Sequence, residues 1–120
     1  MLKDELPKII TEKVPGPKAE AFLKRRNEAV PKALCGNTYP VVIERGEGAV
    51  LEDADGNHFL DFIGGVGVLN IGYSNPEVVE AVKEQADKYF HTIFNIVAHP
   101  GYIELAERLN RLMPVRGSHP

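Results

Sequence analysis

The glycine-rich stretch GGVGVLNIGYSNP, residues 64–76, contains the residue types that could bind a phosphate. A dinucleotide-binding loop has the pattern G-x-G-x-x-G after a strand. Gly65 and Gly67 fit this pattern, but Asn70 stands where the third glycine is required. A P-loop requires lysine after its last glycine, whereas Tyr73 follows the glycine at that position. The stretch therefore favours neither loop, and its glycines predict a bend with close backbone approach or positive φ.

The acidic turn D-A-D-G-N, residues 53–57, could supply oxygen ligands to calcium. An EF-hand loop that started at Asp53 would need a glycine at position six and a glutamate at position twelve. His58 and Gly64 occupy these two positions. The Asp-Gly pair instead predicts a hairpin turn. Asp61 alternates with apolar neighbours, which predicts a solvent-facing strand residue.

The other reactive side chains do not form a complete catalytic set. None of the four histidines pairs with another at i, i+4 or belongs to a Cys/His cluster, so zinc is unsupported; they are His58, His91, His99 and His119. The single Cys35 predicts an inert thiol in a reducing compartment. No serine stands in a G-x-S-x-G elbow. The lysines lie in charged stretches, which predict solvated ammonium groups, whereas a Schiff-base lysine usually needs a desolvated pocket.

The composition predicts one small soluble domain with a core of its own. The chain has 120 residues, and 14 basic against 17 acidic residues give it a net charge of −3. It has no basic excess for nucleic acid or an anionic membrane. Its longest apolar run is too short to span a bilayer, and its first residues lack the apolar region of a signal peptide. A cytoplasmic protein without nucleic acid or membrane partners is expected.

A helix and an antiparallel meander are predicted before the glycine stretch. The first 17 residues are polar and rich in proline, which predicts an arm outside the core. Residues 18–30 predict a helix whose thin apolar face must lie on another element. Strands are predicted at residues 41–45, 49–52 and 58–62. Which face of this meander is buried stays open, because the alternation is imperfect.

Two further helices are predicted after the glycine stretch. Residues 74–90 predict a helix that Ser74 or Asn75 can cap, with a proline at its first helical position. Residues 91–100 are apolar and are not expected to be helical through their centre. Residues 101–113 then predict a last helix with an apolar stripe.

Three motifs follow one another in residues 39–85. They are G-x-x-x-x-D-x-D-G-x-x-x-L-D-F, then G-G-V-G-V, then G-Y-x-N-P-x-V. This order resembles the N-terminal part of class III pyridoxal-phosphate (PLP) aminotransferases, and it looks most like the 4-aminobutyrate aminotransferase branch. The run HTIFNIVAHPGYIELAERL also matches the next segment of that family. The resemblance covers residues 18–114.

The resemblance implies an α+β fragment of the PLP-transferase type I fold: an N-terminal helix, a three-stranded antiparallel meander and two helices. Within residues 18–114 it implies a small-domain helix and sheet with the glycine loop (18–74) and helices that lead into the large domain (75–114). With the arm (1–17) and a tail (115–120), four parts are expected. The family packs this segment against a dimer mate, so a homodimer is expected.

The resemblance also implies the transfer of an amino group from an ω-amino acid, such as 4-aminobutyrate, to a 2-oxoacid. The glycine loop would lie beside the active-site mouth, where Gly65, Val66 and Gly67 line the substrate pocket; the alternative for Val66 is a place in the core between strand and helix. The phosphate-binding turn of the family, its Schiff-base lysine, the aspartate that holds the pyridine nitrogen and the arginine that binds the α-carboxylate match no position here. The chain alone is therefore expected to be inactive and to bind no PLP, with no catalytic or cofactor residue of its own.

Other functions stay open beside the transaminase. Racemases and aminomutases of the same family share this front end and differ mainly in residues further along. A non-catalytic structural or dimerisation module would be a natural short protein. The mass of the native gene product separates this last alternative from a segment of an enzyme.

Overall fold

The structure is a computed structural model and describes residues 1–34 and 39–113. Its contacts divide the chain into two compact units, Met1–Glu80 and Ala81–Pro120. The predicted division into arm, small-domain part and large-domain helices remains a prediction. Cys35, for which an inert thiol was expected, lies outside the described residues.

The first unit contains an antiparallel sheet of three strands in the order β1-β2-β3, which confirms the predicted meander. The strands are β1 (Ile43–Glu47), β2 (Val50–Asp53) and β3 (His58–Leu60). Glu47 pairs with Val50 at one end of the sheet, and Glu52 pairs with His58 at the other. Both connections are short turns, as expected for a meander.

The strand boundaries differ from the prediction for local reasons. β1 begins two residues late because the N–H of Val41 donates to the carbonyl of Tyr39, 2.8 Å away, and not to β2. β1 then continues to Glu47 because Gly48, with a φ of 60°, allows a tighter turn than predicted. β3 ends at Leu60, and the backbone bends at Phe62 and Ile63.

Helix α1 (Pro17–Ala29) begins one residue before the predicted start, because proline suits the first helical position. Its N-cap residue, Gly16, has no side chain that could cap it. The carboxylate of Asp55 replaces this cap and accepts the N–H groups of Lys18 and Ala19, each at 2.9 Å. A Cβ at Gly16 would lie 2.5 Å from Cγ of Asp55, so the approach requires glycine.

The turn between β2 and β3 also binds the N-terminal arm. Asp53 is 2% exposed and accepts the N–H groups of Asp55 and Asn57 at 3.0 and 2.8 Å. Asn57 is fully buried, and its Oδ1 accepts the N–H groups of Ile10 and Thr11 at 2.8 and 3.1 Å. The predicted hairpin turn is therefore confirmed, and it joins the sheet, the arm and the start of α1.

The first 17 residues contribute to the core, although their composition predicted an arm outside it. Leu2 is 5% exposed and is buried like Ala19 and Val50. Lys8 exchanges two backbone hydrogen bonds with His58, at 3.0 and 2.8 Å. The arm makes most of its hydrogen bonds to the turn and to β3 with backbone groups. A pattern of side chains in the sequence does not reveal such bonds.

Pairing of β1 with β2 brings Arg45 opposite Glu52. The guanidinium of Arg45 donates two hydrogen bonds to the two oxygens of Glu52, both at 2.9 Å. Nε2 of His58, whose side chain is nearly buried, lies 2.8 Å from the same carboxylate. The hydrogen bonds from Arg45 and then from His58 lower the pKa of Glu52 to about 2.

Two helices follow the glycine stretch: α2 (Pro76–Ala86) and α3 (Pro100–Leu112). Asn75 is the cap of α2, since its Oδ1 accepts the N–H of Glu77 at 3.1 Å. α2 is shorter than predicted, because the chain leaves the helix at Asp87 and Lys88 in a turn. The residues between α2 and α3 form turns and no helix, as predicted.

No helix in the described part of the chain is long and apolar enough to cross a membrane.

Removal of the buried amide of Asn57 tests the role of the β2–β3 turn. Asn57→Ala leaves the N–H groups of Ile10 and Thr11 without their acceptor, so we expect the free energy of unfolding to fall by about 3 kcal/mol. Denaturant titration measures this loss. The exposed Asn95 provides the control, because Asn95→Ala should change the stability by less than about 0.5 kcal/mol. A loss below about 1 kcal/mol for Asn57→Ala would contradict the assignment.

The lowered pKa of Glu52 predicts a loss of stability in acid. Above its ordinary pKa of 4.5 this carboxylate is ionised in both the folded and the unfolded chain. As the pH falls from there towards about 2, only the unfolded chain binds the proton, and the stabilisation is lost. Glu52→Gln should flatten the pH dependence of urea unfolding over this interval. Glu104→Gln, at an exposed glutamate, should leave this pH dependence unchanged. If the free energy of unfolding changed equally with pH in all three proteins, the role of Glu52 would be refuted.

Candidate functional site

The glycine stretch is part of a loop, residues 61–73, whose two ends lie on the turn between β1 and β2. The N–H of Asp61 donates to the carbonyl of Ala49 at 2.9 Å. Tyr73 exchanges two backbone hydrogen bonds with Gly48, at 2.7 and 3.0 Å. A loop of this length with joined ends is a compact surface loop of the Ω type.

Residues Gly64–Gly67 form a single left-handed turn within this loop. Their φ angles are 58°, 59°, 59° and 87° in chain order. Glycine adopts such angles without strain, but Val66, with φ 59° and ψ 47°, is a β-branched residue in the left-handed region. The strain costs about 1–2 kcal/mol for such a residue. Strain of this kind persists where the surrounding structure imposes it, often at functional sites.

The second role expected of the glycines, close backbone approach, falls on Gly72. Its φ is 79°, and a Cβ there would lie 2.9 Å from the carbonyl oxygen of Gly48. A side chain at this position would push the loop away from the sheet. The prediction is therefore confirmed: Gly64, Gly65 and Gly67 have positive φ, and Gly72 has both positive φ and a close backbone approach.

Asp61 is a hydrogen-bond acceptor within the loop and not a solvent-facing strand residue, so that prediction was wrong. β3 ends before it, and its Oδ1 accepts the N–H groups of Ile63 and Gly64 at 2.8 and 3.1 Å. Its Oδ2 accepts the hydroxyl of Tyr73 at 2.7 Å. This bond and then the backbone bonds lower the pKa of Asp61, and the same bond raises the pKa of Tyr73.

The three residues predicted to line a substrate pocket lie together on the exposed part of the loop. Gly65, Val66 and Gly67 are consecutive in the left-handed turn, and all three are exposed. Val66 is 88% exposed, so it is not a core residue of the described structure. A cavity of about 250 Å³ lies behind the loop; Asp61 and Tyr73 line it and Val66 does not. Within this chain the turn is thus a free surface that offers bare backbone and one apolar side chain.

The histidines are spread over the chain. His58 is buried beside Glu52, and His99 packs edge-on against Phe94 with ring centroids 5.3 Å apart. His91 is exposed, and His119 lies outside the described residues. Among the residues that the structure describes, no group of three or more His, Cys, Asp or Glu side chains could hold a metal ion.

PLP in enzymes of this kind is held covalently by a lysine in a desolvated pocket. Every described lysine is exposed, including Lys83 and Lys88. The described residues therefore do not fit PLP as a complete site.

Tyr73 is the functional candidate that the sequence did not indicate. Its partner Asp61 is twelve positions away, and no helical or strand period connects residues at this spacing. The only sequence signal is that both belong to the ordered motifs, D-F and G-Y. These motifs do not reveal that the two side chains meet.

The class-III aminotransferase family model matches residues 33–119. The chain therefore belongs to the class-III aminotransferases, a family of PLP-dependent transferases. This confirms the resemblance, including its closeness to the 4-aminobutyrate branch, because the curated relatives include several 4-aminobutyrate aminotransferases.

Three relatives illustrate the range of the similarity. 5-Aminovalerate aminotransferase DavT of Pseudomonas aeruginosa is 45% identical over 95 residues, 79% of this chain and 22% of the relative. The 4-aminobutyrate aminotransferase of Mycobacterium tuberculosis is 41% identical over 110 residues, 92% of this chain and 24% of the relative. An alanine/serine racemase of Pyrococcus horikoshii is 35% identical over 114 residues, 95% of this chain and 24% of the relative. The chain thus spans about a quarter of the length of these proteins.

Solved structures show the same fold. Acetylornithine aminotransferase from Elizabethkingia anophelis superposes with a TM-score of 0.74 at 28% identity, over 82% of this chain and 25% of that one. An omega-transaminase from Sphaerobacter thermophilus gives 0.71 at 32% identity, over 84% and 24%. An omega-transaminase from Pseudomonas jessenii in complex with PMP gives 0.65 at 28% identity, over 79% and 22%. The α+β arrangement of this chain is therefore the one found in part of these aminotransferases.

The strain at Val66 predicts opposite effects of glycine at two neighbouring valines. Val66→Gly removes a β-branched side chain from the left-handed region, so the free energy of unfolding should stay the same or rise by up to about 1 kcal/mol. Val68, also exposed, has an ordinary φ of −84°. Val68→Gly should therefore lower the free energy of unfolding by about 0.5–1 kcal/mol. Chemical denaturation compares the two variants. A larger loss for Val66→Gly than for Val68→Gly would disprove the strain.

Proposed function

We propose that this chain is the N-terminal segment of a PLP-dependent aminotransferase that transfers the amino group of an ω-amino acid to a 2-oxoacid. The observation that carries this proposal is the similarity, along most of the chain, to aminotransferases named for 4-aminobutyrate and 5-aminovalerate. Both compounds carry the reacting amino group at the end of a short methylene chain. The donor is therefore a short ω-amino acid.

The left-handed turn forms one wall of the substrate mouth in this proposal. Gly65 and Gly67 leave room for the donor, because they present only backbone. Val66 presents an apolar side chain that suits methylene groups, and small-molecule sites are lined mostly by such side chains with a few polar groups. The exposure of all three residues in this chain supports the role, since a substrate wall must be accessible.

PLP acts as an electron sink when it is bound, and it would be held by parts of a longer protein. The chain by itself would then be inactive. This part of the proposal is supported by the exposure of every described lysine and by the share of each relative that the chain spans. The role of this segment is to shape the mouth and to support the fold.

The protein would act as a homodimer in the cytoplasm. Large apolar side chains are exposed in both units, among them Phe62 at 93% and Phe90 at 91%. Exposed apolar surface of this extent is typical of surfaces that other protein covers. The rest of the same polypeptide and a second subunit together supply that cover.

A racemase is the second candidate, because the alanine/serine racemase of Pyrococcus horikoshii matches nearly the whole chain. A racemase interconverts the enantiomers of one amino acid and needs no 2-oxoacid. The two candidates therefore differ in their requirement for a second substrate.

An assay of the native gene product with PLP separates these functions. With 4-aminobutyrate or 5-aminovalerate and 2-oxoglutarate, we expect glutamate to form, and without the oxoacid we expect no turnover. Val66→Gly should change KM for the donor by about threefold or more with a smaller effect on kcat, because it alters binding at the mouth and not the chemistry. Coupled detection of glutamate measures both constants.

Val68→Gly is the matched control for this assay, and its KM should stay close to that of the unsubstituted protein. Conversion of L-alanine or L-serine to the D-enantiomer without an oxoacid would establish the racemase instead. A native product of 13.3 kDa that shows neither activity would overturn both enzymatic functions.

A further inference from the structure

The hydrogen bond between Tyr73 and Asp61 joins the two ends of the glycine loop through side chains. We propose that these two residues are a positioning pair that holds the left-handed turn Gly64–Gly67 in place at the substrate mouth and thereby sets the preference among amino donors. The inference rests on the proposed function, and it names the residues on which the donor preference of that mouth depends. Neither residue is proposed to contact the reacting atoms.

The carboxylate of Asp61 joins the start of the turn to the end of the loop. One of its oxygens accepts the N–H groups of Ile63 and Gly64, and the other accepts the hydroxyl of Tyr73 at 2.7 Å. Hydrogen bonds to a charged acceptor are stronger than those between neutral groups. Movement of Tyr73 relative to Asp61 would therefore be transmitted directly to Gly64.

Tyr73 itself is held firmly against the sheet. Its backbone exchanges two hydrogen bonds with Gly48. A Cβ at Gly46 would lie 2.7 Å from the ring of Tyr73, so the ring packs directly on the backbone of β1. The hydroxyl of Ser74 donates to the carbonyl of Gly46 at 2.9 Å. The tyrosine hydroxyl is thus a rigid point that the sheet provides.

Apart from this pair, the left-handed turn is held by backbone hydrogen bonds within the loop: the N–H of Val66 donates to the carbonyl of Ile63, and the N–H groups of Val68 and Leu69 donate to that of Gly64, each at 3.1 Å. A Cβ placed at Gly64 or at Gly67 would have no neighbouring atom within 4 Å. Of the four residues of the turn, only Gly64 lines the cavity of about 250 Å³ beside Asp61 and Tyr73. Val66 is held in a strained conformation, which persists only where the surroundings impose it. The Asp61 carboxylate is the side chain that supplies this constraint from the sheet.

Amide hydrogen exchange and donor kinetics test the pair in the full-length, PLP-loaded protein. Tyr73→Phe keeps the ring on Gly46 and removes only the hydroxyl. We expect exchange at the amides of residues 63–69 to become at least about fivefold faster, as loss of a hydrogen bond to a charged group predicts. We also expect KM for the preferred donor to rise by about fivefold, while kcat changes by less than about twofold. The ratio of kcat/KM for 4-aminobutyrate to kcat/KM for 5-aminovalerate should shift as a result.

Asp61→Asn is the second variant, because it retains an acceptor for the two backbone N–H groups and loses the charge. It should change exchange and KM in the same direction as Tyr73→Phe. Tyr39→Phe removes a hydroxyl from a tyrosine that is 73% exposed, and it should leave both measurements unchanged. Thermal unfolding of each variant identifies any that fails to fold, and the other variant then carries the test.

The combined results show whether Tyr73 and Asp61 position the turn. Faster exchange together with a changed donor ratio supports the positioning pair. Unchanged exchange overturns it, and so does faster exchange with an unaltered donor ratio, or a loss confined to kcat. Absence of transamination in the unsubstituted protein overturns the proposed function itself, and with it the role in donor preference. The exchange rates alone still show whether Tyr73 holds the turn.

Discussion

The structure of the first unit depends on the buried polar turn between β2 and β3. Asp53 and Asn57 lie in the interior, and their oxygens satisfy the backbone of the turn and of the N-terminal arm. Asp55, one residue from the glycine of the turn, supplies the cap that α1 lacks. Buried polar groups are tolerated only when they are hydrogen-bonded, so the turn, the arm and α1 each require the others. A motif that resembles a calcium loop in sequence thus has a structural role.

The glycine loop depends on this sheet in turn. Both of its ends are attached to the tight turn between β1 and β2 at Gly48 and Ala49, so the position of that turn determines where the loop leaves and returns. Tyr73 and Asp61 add a side-chain connection across the loop. Bare backbone, positive φ and one strained valine then give an accessible surface made from very few side chains. In the proposed function this surface is a wall for a small donor and takes no part in the chemistry.

The family assignment agrees with a segment that presents a surface loop and holds no complete cofactor site. In the proposed function, the cofactor pocket belongs to other parts of a longer protein and the described residues form part of the substrate mouth. The exposed apolar side chains at Phe62, Phe90 and elsewhere fit a segment that other protein covers. The small number of buried apolar side chains, Leu2, Ala19 and Val50 among the described residues, points the same way.

The sequence by itself determined the family, the order of helix, meander and helices, and the hairpin at Asp55-Gly56, because each depends on local patterns or on ordered motifs. It also located the glycine stretch as a place that needs bare backbone. Only the tertiary structure decided that Asp61 accepts the hydroxyl of Tyr73, that the arm contributes Leu2 to the core, and that the strand ends differ from the predicted ones. The first two features depend on contacts between residues far apart in the chain, which no local period encodes. The strand ends depend on backbone hydrogen bonds and turn geometry, such as the bond from the N–H of Val41 to the carbonyl of Tyr39.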